Sequence, residues 1–143
     1  MSEAQVIELP VSSPRVPAPK KARARRVIAV GGGKGGIGKS LLSANLGIAL
    51  ARRGAKVVLA DLDLGGANLH TCLGVPQPRG SLSDFIERRV ASLSELLVPT
   101  PHENLQLLSG AMDGLEAANP RHQQKSKLLR NLRNLDVDYV LLD

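Results

Sequence analysis

A glycine-rich segment with two lysines, GGGKGGIGKS at residues 31–40, is the part of the chain best suited to hold phosphate. From Gly33 it fits the spacing G-x-x-x-x-G-K-[ST], with a β-branched run before it and a helical pattern after it. Glycines permit positive φ angles, so successive backbone N–H groups can turn towards one anion. The spacing predicts that Lys39 meets the β- and γ-phosphates of a nucleotide and that the Ser40 hydroxyl ligates Mg²⁺.

Two carboxylates follow the second apolar run of the chain. Asp61 and Asp63 are two residues apart in an extended stretch, so their side chains are expected to point to the same side. Mg²⁺ prefers oxygen ligands and usually keeps several waters. We therefore expect one carboxylate to hold a metal-bound water and the other to orient the water that attacks the phosphate.

Short apolar runs alternate with helical patterns along the chain. Strands are predicted at residues 27–30, 56–61, 105–108 and 138–143. Continuous apolar strands separated by helices are typical of a parallel sheet whose two faces are both covered. The sequence therefore predicts an α/β fold, a mostly parallel sheet with helices on both faces.

Two longer helices are predicted. The first spans residues 40–53 and ends at Gly54, and its apolar positions nearly encircle it, which predicts burial on all sides. The second follows Pro120, with an apolar stripe formed by Leu128, Leu129, Leu132 and Leu135. Ser81 and Ser92, each with an acidic residue three positions later, predict two further helix starts.

Composition narrows the classes of function. Phe85 and Tyr139 are the only aromatic residues, which argues against binding single-stranded nucleic acid by base stacking. The single cysteine, Cys72, excludes an intrachain disulfide framework, and its apolar surroundings predict a small buried side chain. No apolar run approaches the roughly 18–20 residues of a membrane span, which favours a reduced, cytoplasmic protein.

The charge is uneven. Of the net charge of +6, four units fall in residues 1–26, which are also rich in proline. This composition predicts a basic disordered tail, followed by a folded domain at 27–143. Because the chain stops directly after a predicted strand, we expect residues 27–143 to be the N-terminal part of a longer domain, inactive and poorly soluble on its own.

The second lysine of the glycine-rich segment, Lys34, is not required by an ordinary phosphate-binding loop. With it, the segment resembles the deviant Walker A motif KGGxGK[ST] of the MinD/ParA family of P-loop ATPases. The stretch from Asp61 to Leu69 resembles the D-x-D-x-G-x-x-N-L switch I segment of the MinD and FlhG members. Residues 139–143 resemble the strand that carries the Walker B-type aspartate.

The resemblance implies a role for each matching residue. Lys34 would reach the nucleotide of a partner subunit, Asp63 would serve hydrolysis, and Ser40, Asp61 and Asp143 would lie at Mg²⁺. The nucleotide would be held by Gly33, Lys34, Gly35, Gly36, Ile37, Gly38, Lys39, Ser40 and Leu41. Lys34, Lys39 and Asp63 would thus be the catalytic residues.

The same resemblance implies a switch that binds Mg-ATP, forms a homodimer in the ATP state and positions a division site, a flagellum or another polar assembly. A membrane surface at the inner face of the plasma membrane, or a partner protein, would be its target. Two alternatives remain from the sequence. One is an ATPase of iron–sulfur or metal-cofactor maturation. The other is a DNA-segregation ATPase, for which the small positive charge of the folded part is weak support and the basic tail adds to it. A non-catalytic interaction module is the fourth reading.

Overall fold

The computed structural model describes residues 24, 26–32, 36–63, 67–110 and 122–143 of the chain. The strands are β1 (Arg26–Ala29), β2 (Val57–Ala60), β3 (Val98–Pro99), β4 (Leu105–Leu108) and β5 (Tyr139–Leu142). The helices are α1 (Lys39–Arg52), α2 (Leu69–Cys72), α3 (Leu82–Ile86) and α4 (His122–Arg133), with a 3₁₀ turn at Leu93–Leu96. All four predicted strands and both predicted longer helices are therefore present.

The five strands form one sheet in the order β1-β5-β2-β4-β3. The pairs β1–β5, β5–β2 and β2–β4 are parallel, and only the two-residue β3, which the sequence pattern did not predict, runs antiparallel. The predicted mostly parallel sheet is thus confirmed. Because parallel strands end at the same edge, the segments that follow β1, β2 and β5 meet there.

Alternate residues of the strands face opposite layers of helix. Val58, Ala60 and Val140 pack with α3, the 3₁₀ turn and α4. Val57, Leu59 and Leu141 pack with α1 and α2 on the other face. Helices on both faces, as predicted, explain why the strands are continuous apolar runs.

Small side chains bring α1 close to the sheet. Its buried residues are Ser43, Ala44, Gly47 and Ala51. An ideal Cβ on Gly47 would lie 2.9 Å from Leu59 Cδ1, so the helix backbone sits almost directly on β2.

The prediction that α1 is buried on all sides is wrong at its start, since Leu41 and Leu42 are 61% and 60% exposed. The helix buries its small residues, and its larger ones near the N-terminus point away from the sheet.

The apolar stripe of α4 is narrower than predicted. Leu128, Leu132 and Leu135 are buried, whereas Leu129 is 42% exposed and does not belong to the stripe. A spacing of four residues keeps Leu128 and Leu132 on one face of the helix, and Leu129 lies about 100° away from Leu128. Leu135 was predicted as part of the stripe, but it follows the end of the helix at Arg133. None of the helices within the described ranges has both the length and the apolar character needed to cross a membrane.

The two predicted helix starts are confirmed. The Ser81 N–H donates to Asp84 Oδ2 at 2.7 Å, and the Ser92 N–H donates to Glu95 Oε1 at 2.8 Å. In each case an acidic side chain in the first turn accepts a backbone donor that the helix leaves without a partner. Most of the predicted tail at residues 1–26 lies outside the described residues, so the domain boundary stays a prediction.

Candidate nucleotide-binding site

Two aspartates end neighbouring strands at the carboxyl edge of the sheet. Asp61 follows β2 and Asp143 follows β5, and the register that pairs Ala60 with Leu142 sets them side by side. Backbone bonds continue the pairing beyond the strands. The Asp143 N–H donates to the Ala60 carbonyl at 2.9 Å, and the Leu62 N–H donates to the Asp143 carbonyl at 3.0 Å.

The glycine-rich loop reaches the same edge from β1. Gly36 and Gly38 have φ angles of 72° and 84°, a conformation that side chains other than glycine rarely adopt. The Gly38 carbonyl accepts the Leu42 N–H at 2.9 Å and so begins α1. This places the positive end of the helix dipole at the cavity. Three predicted nucleotide-binding residues, Gly33, Lys34 and Gly35, lie outside the described residues.

A cavity of about 760 Å³ lies between these segments. Its lining includes the following residues, all of them predicted from the sequence: Gly36, Gly38, Lys39, Ser40, Leu41, Asp61, Asp63 and Asp143. Leu62, Asn68, Thr71 and Cys72 complete the lining. Ile37 does not line the cavity, although it was predicted to contact nucleotide, and its side chain is 56% exposed beside the loop. The structure thus brings together residues predicted to bind phosphate and residues predicted to bind metal, which are far apart in sequence.

Asp61 is the most buried carboxylate of the cavity, with 2% of its surface exposed. Its Oδ1 accepts the N–H of Asp63 and its Oδ2 accepts the N–H of Leu69, each at 3.0 Å. The carboxylate therefore ties together the start and the end of the segment between β2 and α2. Burial raises the pKa of Asp61 above its ordinary value, the two amides oppose this, and the charges of Asp143 and Asp63 add to the increase.

Asp143 accepts a bond from α1. The Ser43 hydroxyl donates to Asp143 Oδ1 at 2.6 Å, and Ser43 has no exposed surface. Ser40, one turn earlier in the helix, lines the cavity above this bond.

The donor set of the cavity suits magnesium. Ser40, Asp61 and Asp143 offer a hydroxyl and two carboxylates, and such oxygen donors are the ligands that Mg²⁺ prefers. Within the described part of the chain, no three His, Cys, Asp or Glu side chains form a cluster that would enclose a metal. An ion with few protein ligands and several waters, as Mg²⁺ usually is beside nucleotide phosphates, fits this arrangement.

Gly110, just beyond β4, supports the aspartate segment from behind. An ideal Cβ on this residue would lie 2.6 Å from the Asp63 carbonyl oxygen and 2.9 Å from the Asp61 carbonyl oxygen. Only glycine allows two backbones to approach this closely. Gly110 was not predicted as a site residue, because nothing in the local pattern shows which distant segment a glycine will contact.

The prediction that Cys72 is buried is wrong. The residue is exposed and lines the cavity. Leu69 and Leu73, one helical turn apart, form the buried face of α2 and pack in the core. Cys72 lies off that face, so its thiol is on the solvent side beside Thr71.

This position makes Cys72 a reporter of ligand binding. We expect N-ethylmaleimide to label the thiol in the free protein and Mg-ATP to protect it. At an ATP concentration 100 times its Kd, labelling should slow by up to about 100-fold, because about 1% of the sites are empty. The measurement is the labelling rate by mass spectrometry, with Cys72→Ser as the unreactive control. If saturating Mg-ATP does not change the labelling rate, the nucleotide does not bind in the cavity that Cys72 lines.

A family model described as ParA, NUBPL iron-transfer P-loop NTPase, matches residues 23–143 of the chain. The match includes the glycine-rich loop, the aspartate segment and the strand that ends at Asp143. The chain belongs to the ParA family of P-loop NTPases. The sequence-based recognition of the MinD/ParA family is therefore confirmed.

Several known proteins resemble this ParA-family chain. The septum site-determining protein MinD of Helicobacter pylori is 34% identical over 118 residues, which cover 82% of the chain and 43% of that protein. The antiactivator FleN of Pseudomonas aeruginosa is 49% identical over 73 residues, 51% of the chain and 26% of FleN. The solved structure of MinD from Pyrococcus horikoshii, complexed with Mg-ADP, has a TM-score of 0.73 at 34% identity and covers 82% of the chain and 48% of that structure. The chain spans less than half the length of each of these proteins.

Proposed function

We propose that the protein is an ATPase switch that binds Mg-ATP, dimerises in the ATP state and positions a division site, a flagellum or another polar assembly. The observation that carries the proposal is the single cavity shared by the phosphate loop and the three aspartates. The similarity to MinD, to FleN and to a MinD structure holding Mg-ADP supports ATP and Mg²⁺ as the ligands.

Each residue has a proposed role at the phosphates. Lys39 and the loop amides bind the β- and γ-phosphates, and Ser40, Asp61 and Asp143 hold Mg²⁺, which offsets phosphate charge when bound. Asp63 orients the attacking water. The water oxygen bonds to the γ-phosphorus, the bond to the bridging oxygen breaks, and the water gives up a proton, which yields ADP, phosphate and a proton.

The ATP-state homodimer is supported by an apolar surface beside the cavity. Ile37, Leu41 and Leu42 are each more than half exposed, and large apolar side chains clustered at a surface often mark an interface. A second copy seated against this edge would cover them. Lys34 of each copy would then complete the other's site, a contribution that for arginine fingers of GTPases is worth about 10³–10⁵ in rate.

A change in mass with nucleotide tests this proposal. Light scattering of the full-length protein carrying Asp63→Ala, which slows hydrolysis, should show a monomer in ADP and a dimer in Mg-ATP. Adding Lys34→Ala should abolish the dimer while ATP remains bound. The matched control is Lys125→Ala, since Lys125 is exposed on α4, away from the cavity lining.

The opposite result would favour another function. If ATP binds and the mass does not change, the switch is wrong. An unchanged dimer mass would favour a constitutive dimer, such as a cluster carrier, and an unchanged monomer mass would favour a plain nucleotide-binding module. The family model is itself described as an iron-transfer NTPase. A nucleotide-dependent gain in affinity for DNA would instead favour the segregation ATPase.

The proposed location follows from the proposed function. We place the protein in the cytoplasm, with peripheral attachment at the inner face of the plasma membrane when it acts on a polar assembly. Vesicle co-sedimentation in Mg-ATP and in ADP separates a membrane target from a protein partner.

A further inference from the structure

The hydrogen bond between Ser43 and Asp143 joins residues 100 positions apart. A serine inside a helix commonly donates to the carbonyl four residues earlier, which here is Lys39. The Ser43 hydroxyl donates instead to Asp143 Oδ1 at 2.6 Å, at the short end of the range for O–H···O hydrogen bonds. The bond therefore links the start of α1 to the end of β5.

Close packing alone does not explain a serine at this position. The neighbouring buried positions of α1 are Ala44, Gly47 and Ala51, which satisfy the tight approach to the sheet without a hydroxyl. Ser83 in α3 offers a comparison within the chain. It is equally buried at 4% exposure, and its hydroxyl has no hydrogen-bond partner among the described residues. Ser43, by contrast, directs its only donor to a carboxylate of the cavity.

Ser40 and Ser43 lie on the same face of α1, because they are three residues apart. Ser40 lines the cavity and Ser43 lies buried one turn further along the helix. The same face thus supplies one hydroxyl to the proposed metal and a second hydroxyl to the carboxylate that faces the metal.

We propose that Ser43 is the positioning residue of Asp143. By occupying Oδ1, its hydroxyl fixes the rotation of the carboxylate and keeps Oδ2 for the magnesium ion or a water bound to it. The inference rests on the proposed function, because it needs Mg²⁺ to bind beside the nucleotide. Partners that orient a metal ligand commonly change metal affinity by 10–100-fold when removed.

The test measures ADP affinity by calorimetry with and without Mg²⁺ in the full-length protein. Ser43→Ala should leave ADP affinity without Mg²⁺ unchanged and lower the gain from Mg²⁺ by about tenfold. Alanine is the strongest helix former, and unchanged binding without Mg²⁺ shows that the loop is still folded. Ser83→Ala, which also removes a buried helical hydroxyl, should keep the full gain.

A double-mutant cycle separates positioning from packing. If Ser43 acts through Asp143, Ser43→Ala should have no further effect on the Mg²⁺ gain in an Asp143→Ala background. An effect that persists there, or an equal loss of ADP affinity with and without Mg²⁺, overturns the inference. If Ser43→Ala gains as much ADP affinity from Mg²⁺ as the wild type does, the inference is wrong and the proposed function stands. If Mg²⁺ does not change the ADP affinity of the wild-type protein, the proposed function is wrong as well.

Discussion

Gly110→Ala is expected to lower the ATP hydrolysis rate by about 100-fold, the loss that a displacement of about 1 Å at a reacting centre can cause. The added methyl group would lie 2.6 Å from the Asp63 carbonyl oxygen and 2.9 Å from that of Asp61. Both obstacles are backbone atoms, which cannot rotate away as a side chain can. The segment must therefore move towards the cavity and carry Asp63 with it. ATP affinity should fall less, because the phosphate loop approaches from the opposite side.

The measurement is single-turnover hydrolysis by the full-length protein, together with its ATP binding. Gly80→Ala is the matched control, since a Cβ there would lie 2.8 Å from Leu96 Cδ2, the far end of a flexible side chain. That variant should lose some stability and hydrolyse ATP normally. If Gly110→Ala hydrolyses ATP at the wild-type rate, the aspartate segment is not held against β4 in the active protein.

Asp61→Ala is expected to destabilise the folded protein and to open the segment between β2 and α2. The substitution removes the acceptor of two backbone N–H groups, those of Asp63 and Leu69. A buried donor left without a partner costs about 1–3 kcal/mol for each group. Urea denaturation measures the loss, and faster hydrogen exchange at the Leu69 amide locates it. Asp136→Ala, at an exposed carboxylate, should change stability by less than about 0.5 kcal/mol.

Asp61 also makes the stability of the folded protein fall as the pH rises, which is the opposite of the usual effect of a carboxylate. Because burial raises its pKa, the folded protein holds the proton more tightly than the unfolded chain does. The contribution of Asp61 to the free energy of unfolding is therefore largest below pH 3.8, the ordinary pKa, and is lost as the pH rises through the raised pKa. Asp61→Asn should remove this decline, as measured by denaturation at a series of pH values. If the stability of Asp61→Asn falls with pH by the same amount, the decline is caused by other titratable groups.

Much of the fold was predictable because its strands are short apolar runs buried on both faces. The meeting of Asp61 with Asp143 follows from the same fact, since parallel strands end at one edge. The phosphate loop was predictable because its glycines and Lys39 act through local backbone geometry. These features depend on residues that are near each other in sequence or on the direction of the strands.

The remaining features depend on which side of an element faces which neighbour. Cys72 and Leu41 are apolar or weakly polar, and nothing local indicates that they lie on the exposed sides of α2 and α1. Gly110 is glycine because of a segment more than 40 residues earlier in the chain. Ser43 had one signal in the sequence, since it lies three residues after Ser40 and therefore on the same face of the helix as that proposed metal ligand.

The position of β5 between β1 and β2 has a consequence for biosynthesis. β1 and β2 do not pair with each other, and both pair with β5, whose residues are the last of the described strands to leave the ribosome. At about 5–20 residues per second, the nascent β1 is without its partner on the order of 5–20 seconds. Until β5 is inserted between them, β1 and β2 each present an unpaired apolar edge, the kind of surface that favours aggregation and that chaperones protect.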